Sequence, residues 1–504
     1  MNAPSSTSSS GLQFIHPYLA VVLGGGFTGM LAAAALSGHA DVIVVERERL
    51  PRTPALPTDL PQARHAHLLA ADGARKIDAV LPGSVDRWLA EGARRVPMPA
   101  ELAAHSPLAR LGRRRLPYLI ACSRDLLDRV IRHQVPALPG VTVLDGTEAE
   151  GLTGTAEHIT GVRVRDTTTG ETYRLDADLV IDATGRHSTT QDRLRALGLP
   201  SAVEDVADSG TVSATRIFRA PDGLRPLPVL TSRSVRSAAP PELPAPPPSS
   251  RLRSNRGDPH EQGGAPLAHT GPPRGVPAAT ATLVPIEGGR WLVTLTGTGD
   301  DRPTEHAGRF VPFARRTGSS AIGDLIAGAE PLSEVRLSRD TFSRRRRYDQ
   351  LPAWPTGFVA LGGAVVSLTP DFGQGLSIAA HSAAALRTAL RRHGMDDPAL
   401  ARRVQRAIGR IVHEPWALTT GEVLHSPAAA RPAVCRAYAD VVTPSVRTAR
   451  FLPRPAALRL LRNTARIRPA RGGSAGWETP PISLQPPLPT TTEPSSATGP
   501  WPPA

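Results

Sequence analysis

The sequence is poor in cysteine and in aromatic residues. Its two cysteines, Cys122 and Cys435, lie neither in a C-x-x-C pair nor with histidine at metal-ligand spacing. A disulfide framework and a zinc site therefore have no support, and we expect a reducing, cytoplasmic setting. Aromatic residues make up 4% of the 504 residues and hydrophobic residues 40%. This composition is typical of a soluble α/β protein rich in Ala, Leu and Val.

Long apolar runs are also missing. The first stretch, MNAPSSTSSSGLQFIHPY, has no basic n-region, and the apolar run after it is interrupted by Gly24, Gly25 and Gly26. A signal peptide needs a basic n-region and an unbroken apolar core, and a membrane span needs about 20 consecutive apolar residues. We therefore expect neither.

Negative charge is in deficit, because 59 Lys and Arg against 45 Asp and Glu give a formal net charge of +14. The basic residues are almost all arginine and are scattered. Their densest cluster, SRRRRYDQ at 343–350, has no aromatic stacking platform beside it. We therefore interpret the cluster as a solvated face and predict no nucleic-acid partner. An anionic cofactor or a membrane-adjacent acidic partner accounts for the charge equally well.

A glycine-rich turn follows the first apolar run, in VVLGGGFTGMLAAAAL at 21–36. Gly24, Gly26 and Gly29 form G-x-G-x-x-G between a short strand and an Ala-rich helix. In this pattern the first glycine allows the tight turn, the second lets the backbone approach a pyrophosphate, and the third lets helix and strand pack closely. The helix N-terminus then offers N–H groups to phosphates.

A carboxylate completes this pattern. Glu46 ends the next apolar strand, DVIVVE at 41–46, where it is placed to accept hydrogen bonds from a ribose. Strand, glycine turn, helix and acid together predict a dinucleotide site. They do not decide between NAD and FAD.

Two further glycine-rich exits from strands follow. In DLVIDATGRHS, Asp182 and Gly185 end a buried strand, which alone is compatible with any strand-to-loop exit. In FVALGGA, a strand runs into Gly362 and Gly363, and PDFGQG at 370–375 precedes another helix. A helix N-terminus there would stabilise negative charge on a flavin ring. We therefore interpret the two glycine elbows as holding the diphosphate and ring ends of one FAD.

A series of motifs in fixed order carries a family resemblance along about residues 20–390. The motifs are VVLGGGFTGML, PQARHAHLL, IACSRDLLD, DLVIDATGR, DSGTVSATRIFRAP, PIEGGRWLVTLTGT and GQGLSIAAHS. The sequence thereby resembles the flavoprotein monooxygenases with the para-hydroxybenzoate hydroxylase fold. Within them it looks most similar to the flavin-dependent polyene epoxidases of polyether antibiotic biosynthesis, relatives of squalene epoxidase.

The resemblance implies an α/β fold. We expect an FAD-binding Rossmann-like domain with three layers and a parallel sheet, an interleaved antiparallel-sheet substrate domain, and C-terminal helices. The expected domain boundaries are a disordered tail at 1–17, the FAD-binding domain at 18–85, 118–200 and 346–398, the substrate domain at 86–117 and 201–345 with a disordered Pro-rich loop at 237–278, a helical region at 399–470, and a disordered Pro-rich tail at 471–504.

The resemblance also implies FAD contacts, residue by residue. Gly24, Gly26 and Gly29 would hold the diphosphate, Glu46 the adenosine ribose, Arg124 the ribityl–diphosphate part, and the backbone of Ala149 the adenine. Arg64 and His65 would lie in the loop beside the flavin, and Asp182, Gly185 and Gly363 would contact the cofactor from the ends of strands. Pro370, Gly373, Gly375 and Leu376 would line the isoalloxazine. An ordinary surface role remains open for Arg124. A structural role for His65 is an equal alternative.

One position departs from the family pattern. These flavoproteins usually carry Gly-Asp-Ala where this chain has Gly362, Gly363 and Ala364. Losing a charged acceptor costs about 1.5–3 kcal/mol of binding. Weak FAD binding, compensation by a group such as Asp371, and loss of activity are the three alternatives. If the site is merely weakened, Gly363→Asp is expected to raise FAD retention.

The implied chemistry needs no catalytic side chain and no metal. Reduced flavin and dioxygen form a C4a-hydroperoxide whose distal oxygen an alkene attacks directly. Electrons would come from NAD(P)H, directly or through a flavin reductase. The expected function is epoxidation of a linear polyene or polyketide in polyether-type biosynthesis. The alternatives are an aromatic hydroxylase, which needs a base or a hydrogen-bond relay, and a degenerate FAD-fold protein without turnover.

Two further sequence features bear on the substrate. The W-x-W-x-I-P signature of flavin-dependent halogenases is absent from the sequence, which counts against halogenation. The hairpin containing Trp291, Val293 and Leu295 on one face, and TVSATRIF at 211–218, are candidates for the wall of an apolar substrate tunnel. Plain sheet core is the simpler role for any one of these residues.

Overall fold

The computed structural model describes residues 15–50, 65, 67–97, 118–223, 227–234, 279–369 and 374–420. The strands in this part of the chain are β1 (Leu19–Leu23), β2 (Asp41–Glu46), β3 (Leu69–Ala70), β4 (Arg94–Pro97), β5 (Tyr118–Ala121), β6 (Val141–Asp145), β7 (Thr147–Gly154), β8 (Ile159–Asp166), β9 (Thr172–Asp176), β10 (Leu179–Asp182), β11 (Glu204–Asp208), β12 (Val212–Arg219), β13 (Leu230–Ser234), β14 (Ala279–Ile286), β15 (Arg290–Gly297), β16 (Arg336–Ser338), β17 (Phe342–Arg346), β18 (Phe358–Ala360) and β19 (Val366–Ser367).

The α-helices in the same residues are α1 (Phe27–Leu36), α2 (Ala71–Val80), α3 (Ser84–Ala90), α4 (Arg124–Gln134), α5 (Thr190–Ala196), α6 (Ala307–Arg316), α7 (Ala321–Ala327), α8 (Gln374–His393) and α9 (Leu400–Thr420). None of these helices is both long and apolar enough to cross a membrane.

A five-stranded parallel sheet forms the centre, in the order β18-β10-β1-β2-β6. Its strands are short apolar runs because both faces of the sheet are covered. Helix α1 packs on β1 and β2 and also contacts α8, and the antiparallel sheet β7-β8-β9 packs against β2 and β10. At the outer edge, the backbone N–H of Ala360 donates to Oε1 of Gln405 at 3.0 Å, so α9 covers the β18 edge. The three-layer α/β arrangement is confirmed.

A second five-stranded sheet is antiparallel, in the order β13-β14-β15-β12-β16. One face packs under α6 and α7, where Trp291, Val293 and Leu295 are buried with Phe218 and Phe310. The predicted shared face of the first three residues is confirmed. This face is filled by helices. It is therefore sheet core and not the wall of a tunnel.

Only part of the arginine cluster is solvated, which corrects the expectation from sequence, since Arg344 is exposed but two of its neighbours are buried. Arg345 and Arg346 on β17 are 2% and 8% exposed. The strand pairs antiparallel with β11, which places acidic residues beside the arginines. Arg347 Nε lies 2.6 Å from Asp205 Oδ2, and Arg346 Nε lies 3.6 Å from Glu204 Oε2. The sequence could not show this pairing because about 140 residues separate the two strands.

Candidate functional site

The first glycine turn lies at the carboxyl end of β1. Gly24 has φ +97°, and a Cβ there would lie 2.7 Å from the carbonyl oxygen of Ala183. A Cβ on Gly29 would lie only 1.8 Å from the carbonyl oxygen of Gly24, so α1 begins in direct contact with the turn. A Cβ on Gly26 would meet nothing within 4 Å. The turn therefore needs two of its glycines for packing, and the third faces open space.

Glu46 is held at the end of β2 beside this turn. Its Oε2 accepts a hydrogen bond from the backbone N–H of Gly25 at 2.6 Å, and its Oε1 accepts one from that of Glu48 at 3.0 Å. Each carboxylate oxygen has a second lone pair, so the fixed carboxylate can still accept hydroxyl hydrogens.

Arg124 places a cation at the start of α1. Its guanidinium carbon lies 4.7 Å from the centre of the Phe27 ring, and its Nε donates to Asp128 Oδ1 at 2.8 Å. These contacts fix the side chain, which is largely buried, so a plain surface role does not describe it. Phe27 is the first residue of α1, next to the open position at Gly26.

The turn before Arg124 is tied to the substrate sheet, which sequence reasoning missed. Ser123 caps α4 by accepting from the N–H of Leu126 at 3.1 Å. Its own N–H and Oγ donate to the two oxygens of Glu287, at 2.9 and 2.5 Å. Glu287 lies in the turn between β14 and β15. The hairpin tip therefore holds the segment that positions Arg124.

Asp182 is an internal organiser of the loop after β10. Oδ1 accepts from the N–H and Oγ1 of Thr184, at 2.8 and 2.6 Å. Oδ2 accepts from Ser188 Oγ at 2.6 Å and from Thr190 Oγ1. The side chain is fully buried. Asp182 therefore shapes the loop that carries Gly185 through these contacts.

The second glycine elbow lies against the first. Gly362 has φ +56°, and a Cβ there would lie 2.6 Å from Thr28 Oγ1, in the first turn of α1. A Cβ on Gly363 would lie 2.9 Å from the Cα of Gly185. The structure thus brings together three glycine segments that are far apart in sequence, at the carboxyl ends of β1, β10 and β18.

The beginning of α8 is described only from Gln374. Gly375 is exposed and a Cβ on it would meet nothing, whereas the Leu376 side chain is 2% exposed and packs in the main core. Leu376 can therefore offer a ligand its backbone but not its side chain. The other positions expected beside the ring lie outside the described residues, namely Arg64, Pro370, Asp371 and Gly373.

His65 connects this region to the substrate sheet. Its Nδ1 lies 2.6 Å from Thr215 Oγ1, which lies 2.8 Å from Thr294 Oγ1. Burial lowers the pKa of His65 to about 4, so the imidazole is neutral at pH 7. Its Nε2 has no hydrogen-bond partner among the described residues. Thr215 lies within TVSATRIF at 211–218, which the sequence already indicated as a candidate substrate wall, whereas no local signal identified Thr294.

Ala149 lies on β7 at a bulge between Ala149 and Gly151. Its carbonyl oxygen accepts a hydrogen bond from Arg193 Nη2 at 2.5 Å, and a carbonyl has a second lone pair available. Across the described residues, no three His, Cys, Asp or Glu side chains are grouped to bind a metal ion.

The residues present fit FAD. A Cβ on Gly26 or on Gly185 would point into open space, as a backbone approached by a phosphate requires. A carboxylate, Glu46, accepts from the backbone of Gly25, and a cation, Arg124, contacts the ring of Phe27, so both charges lie next to the start of α1.

Comparisons with known proteins agree with this geometry. Residues 18–215 match the family model of an FAD binding domain. Protein Rv3254 of Mycobacterium tuberculosis is 28% identical over 429 residues, 82% of each chain. Among solved structures, the flavin-dependent brominase Bmp2 has a TM-score of 0.55 at 13% identity, covering 88% of this chain and 93% of its own. PqsL, a probable FAD-dependent monooxygenase from Pseudomonas aeruginosa, has a TM-score of 0.54 at 18% identity, covering 84% and 99%. Residues 18–215 are therefore similar to an FAD binding domain, and the chain shares the fold of Bmp2 and PqsL.

Proposed function

We propose that the protein is an FAD-dependent monooxygenase that epoxidises an alkene of a linear polyene or polyketide intermediate. The observation that carries the proposal is the meeting of the three glycine segments at the carboxyl ends of β1, β10 and β18. Ligands of open α/β sheets bind at that edge. NAD(P)H, used directly or through a flavin reductase, is the proposed electron source, and the cytoplasm is the proposed location.

Each part of FAD has a proposed holder. The turn of Gly24, Gly26 and Gly29 holds the diphosphate at the N-terminus of α1, and Glu46 holds the ribose. The guanidinium of Arg124 offsets the diphosphate charge. Further proposed contacts are the adenine at the backbone of Ala149, the ring at the backbones of Gly375 and Leu376, and the loop backbone at Gly185.

When bound, reduced flavin and dioxygen supply an electrophilic oxygen for transfer. The protein then has to exclude water and hold the substrate close to that oxygen. The face of the substrate sheet opposite the helices offers a partly exposed apolar side chain for this, Ile217, which packs against a buried apolar cluster that includes Leu292. An apolar wall suits a hydrocarbon chain.

The aromatic hydroxylase alternative is less well supported. Activating a phenol needs a base of suitable strength near the ring. His65 is the buried histidine next to this face, and burial holds its pKa at about 4. Such an imidazole is too weak a base to remove a phenol proton, whose pKa is about 10. An alkene needs no proton removed.

The test is oxygen transfer from labelled dioxygen. FAD-loaded protein is reduced with NAD(P)H, with and without a separate flavin reductase, and supplied with a linear polyene or a phenol. The products are analysed by mass spectrometry. Labelled epoxide from the polyene and unreacted phenol support the proposal. Labelled catechol with unreacted polyene would replace epoxidation by aromatic hydroxylation.

A further inference from the structure

His65 has one nitrogen engaged and one without a partner. The side chain is 2% exposed, its Nδ1 contacts Thr215 on β12, and its Nε2 has no hydrogen-bond partner in the described part of the chain. Buried polar atoms are nearly always hydrogen-bonded, because an unpaired one loses its contact with water and gains nothing. A ligand group at Nε2 resolves this.

The position of His65 fits a substrate contact. Four residues after His65, Leu69 begins a segment that packs on α8. A Cβ on Gly73 of α2 would lie 3.0 Å from Leu69 Cδ1 and 3.2 Å from Ser377 Oγ, in the first turns of α8. His65 therefore contacts the middle of the substrate sheet, four residues before a segment that reaches the first turns of α8.

The sheet face around this contact is apolar. From Thr215 toward the turn between β14 and β15, the side chains on this face include Ile217, Val284 and Leu292. Ile217 is partly exposed, as is Leu68 beside it. The chain of hydrogen bonds from Thr294 through Thr215 to His65 thus ends in a single polar atom next to an apolar wall.

The direction of the hydrogen bond at Nδ1 limits which chemical groups can bind to Nε2. If Thr215 donates to Nδ1, then Nε2 carries a hydrogen and donates. If Nδ1 donates to Thr215, then Nε2 accepts. A hydroxyl group satisfies both tautomers because it both donates and accepts. A carboxylate only accepts, and the neutral imidazole offers it no charge.

We propose that Nε2 of His65 binds a hydroxyl group of an otherwise apolar substrate. This inference rests on the proposed function and makes it more specific. The enzyme would select substrates with a hydroxyl at a fixed distance from the oxidised bond, and the residue would act in substrate binding.

The test measures binding of matched probes by isothermal titration calorimetry with FAD-loaded protein. One pair is farnesol and its methyl ether, and the other is para-octylphenol and para-octylanisole. We expect the hydroxyl member of one pair to bind roughly tenfold more tightly than its ether. The pair that shows the preference tells whether an alcohol or a phenol is recognised.

His65→Asn is the critical variant. Asparagine keeps a polar group near the position of Nδ1 but does not reach that of Nε2, so the preference is expected to fall to about twofold or less. The methyl group of the ether probes has the same steric cost in the original protein and in His65→Asn. The difference in hydroxyl preference between the two proteins therefore reports on Nε2 alone. His65→Gln, which reaches farther, is expected to recover part of the preference.

An unchanged hydroxyl preference in His65→Asn would overturn the inference. If that variant also loses FAD on desalting, Nε2 is assigned to the flavin instead. If His65→Asn does not fold, Thr215→Val is measured instead, because it removes the hydroxyl group that orients the His65 ring. An unchanged hydroxyl preference in Thr215→Val would also contradict the inference. Calorimetry needs no turnover, so hydroxyl recognition without oxidation would support this inference and contradict the proposed function.

Discussion

A Cβ on Gly363 would lie 2.9 Å from the Cα of Gly185 and 3.0 Å from the backbone nitrogen of Arg186. Gly363 lies in the short turn Gly362–Ala364 and Gly185 in the turn Gly185–His187. The two turns pack backbone against backbone. The glycine at 363 is therefore part of the packing, and the space for the aspartate expected from the resemblance is filled.

This contact changes the expected effect of restoring the aspartate. Gly363→Asp is expected to lower the free energy of unfolding by about 1–3 kcal/mol, because overpacking forces the turns apart, and FAD retention is not expected to rise. Gly308→Ala, at an open position of α6, is the matched control and should unfold no more easily than the original protein, because alanine favours the helix. Increased FAD retention in a Gly363→Asp protein of unchanged stability would contradict the account.

Gly26 and Gly29 are expected to differ when each is replaced by alanine. A Cβ on Gly26 meets open space, so Gly26→Ala should fold normally and weaken FAD binding about tenfold or more. A Cβ on Gly29 would strike the carbonyl oxygen of Gly24, so Gly29→Ala should lose about 1–3 kcal/mol of stability even without FAD. Urea unfolding of the apoprotein and fluorescence titration with FAD measure the two effects. Equal behaviour of the two variants would be contrary evidence.

Opposite faces of the substrate sheet should respond differently to truncation. Trp291 is 3% exposed under α6 and α7, so Trp291→Ala should cost about 3–5 kcal/mol of stability. Ile217 faces the other way and is partly exposed, so Ile217→Ala should cost less and weaken polyene binding. Thermal unfolding and polyene titration separate the two effects. If Trp291→Ala changes polyene binding without changing stability, the face of the sheet under the helices would be the one that contacts the substrate.

His65 should make the stability depend on pH. Burial lowers its pKa from 6.5 to about 4 in the folded protein, so the unfolded chain binds the additional proton between these values. Stability contributed by the neutral imidazole is therefore full above about pH 6.5 and falls as the pH drops toward 4, by roughly 3 kcal/mol. His65→Asn should lack this part of the decrease. Parallel pH profiles of unfolding free energy for the two proteins would contradict the assignment.

The local part of the site could be predicted from the sequence. The strand at 41–46 has the predicted bounds, a short strand precedes the glycine turn as predicted, and the turn and Glu46 lie where the pattern places them. These features depend on contacts within one βαβ unit, where strand, turn and helix each have a sequence signal.

The rest depends on contacts between distant segments. His65 and Thr215 are 150 residues apart, and nothing near either residue indicates the other. The contact of Gly363 with Gly185 is likewise invisible until the strands are in place. The arginine cluster was wrongly interpreted for the same reason, because its acidic partners lie on another strand. The alternating pattern of the Trp291 hairpin predicts that the three residues share a face. It does not predict that helices cover this face, because that depends on packing between distant segments.

The most direct measurement is the visible absorption spectrum of the purified protein after addition of FAD and desalting, beside Gly26→Ala treated identically. We expect an oxidised-flavin spectrum that survives desalting in the original protein and is much reduced in Gly26→Ala, with the two apoproteins unfolding alike. An original protein that stays colourless, or an equal flavin content in both proteins, would contradict the assignment of the glycine turn as the cofactor site.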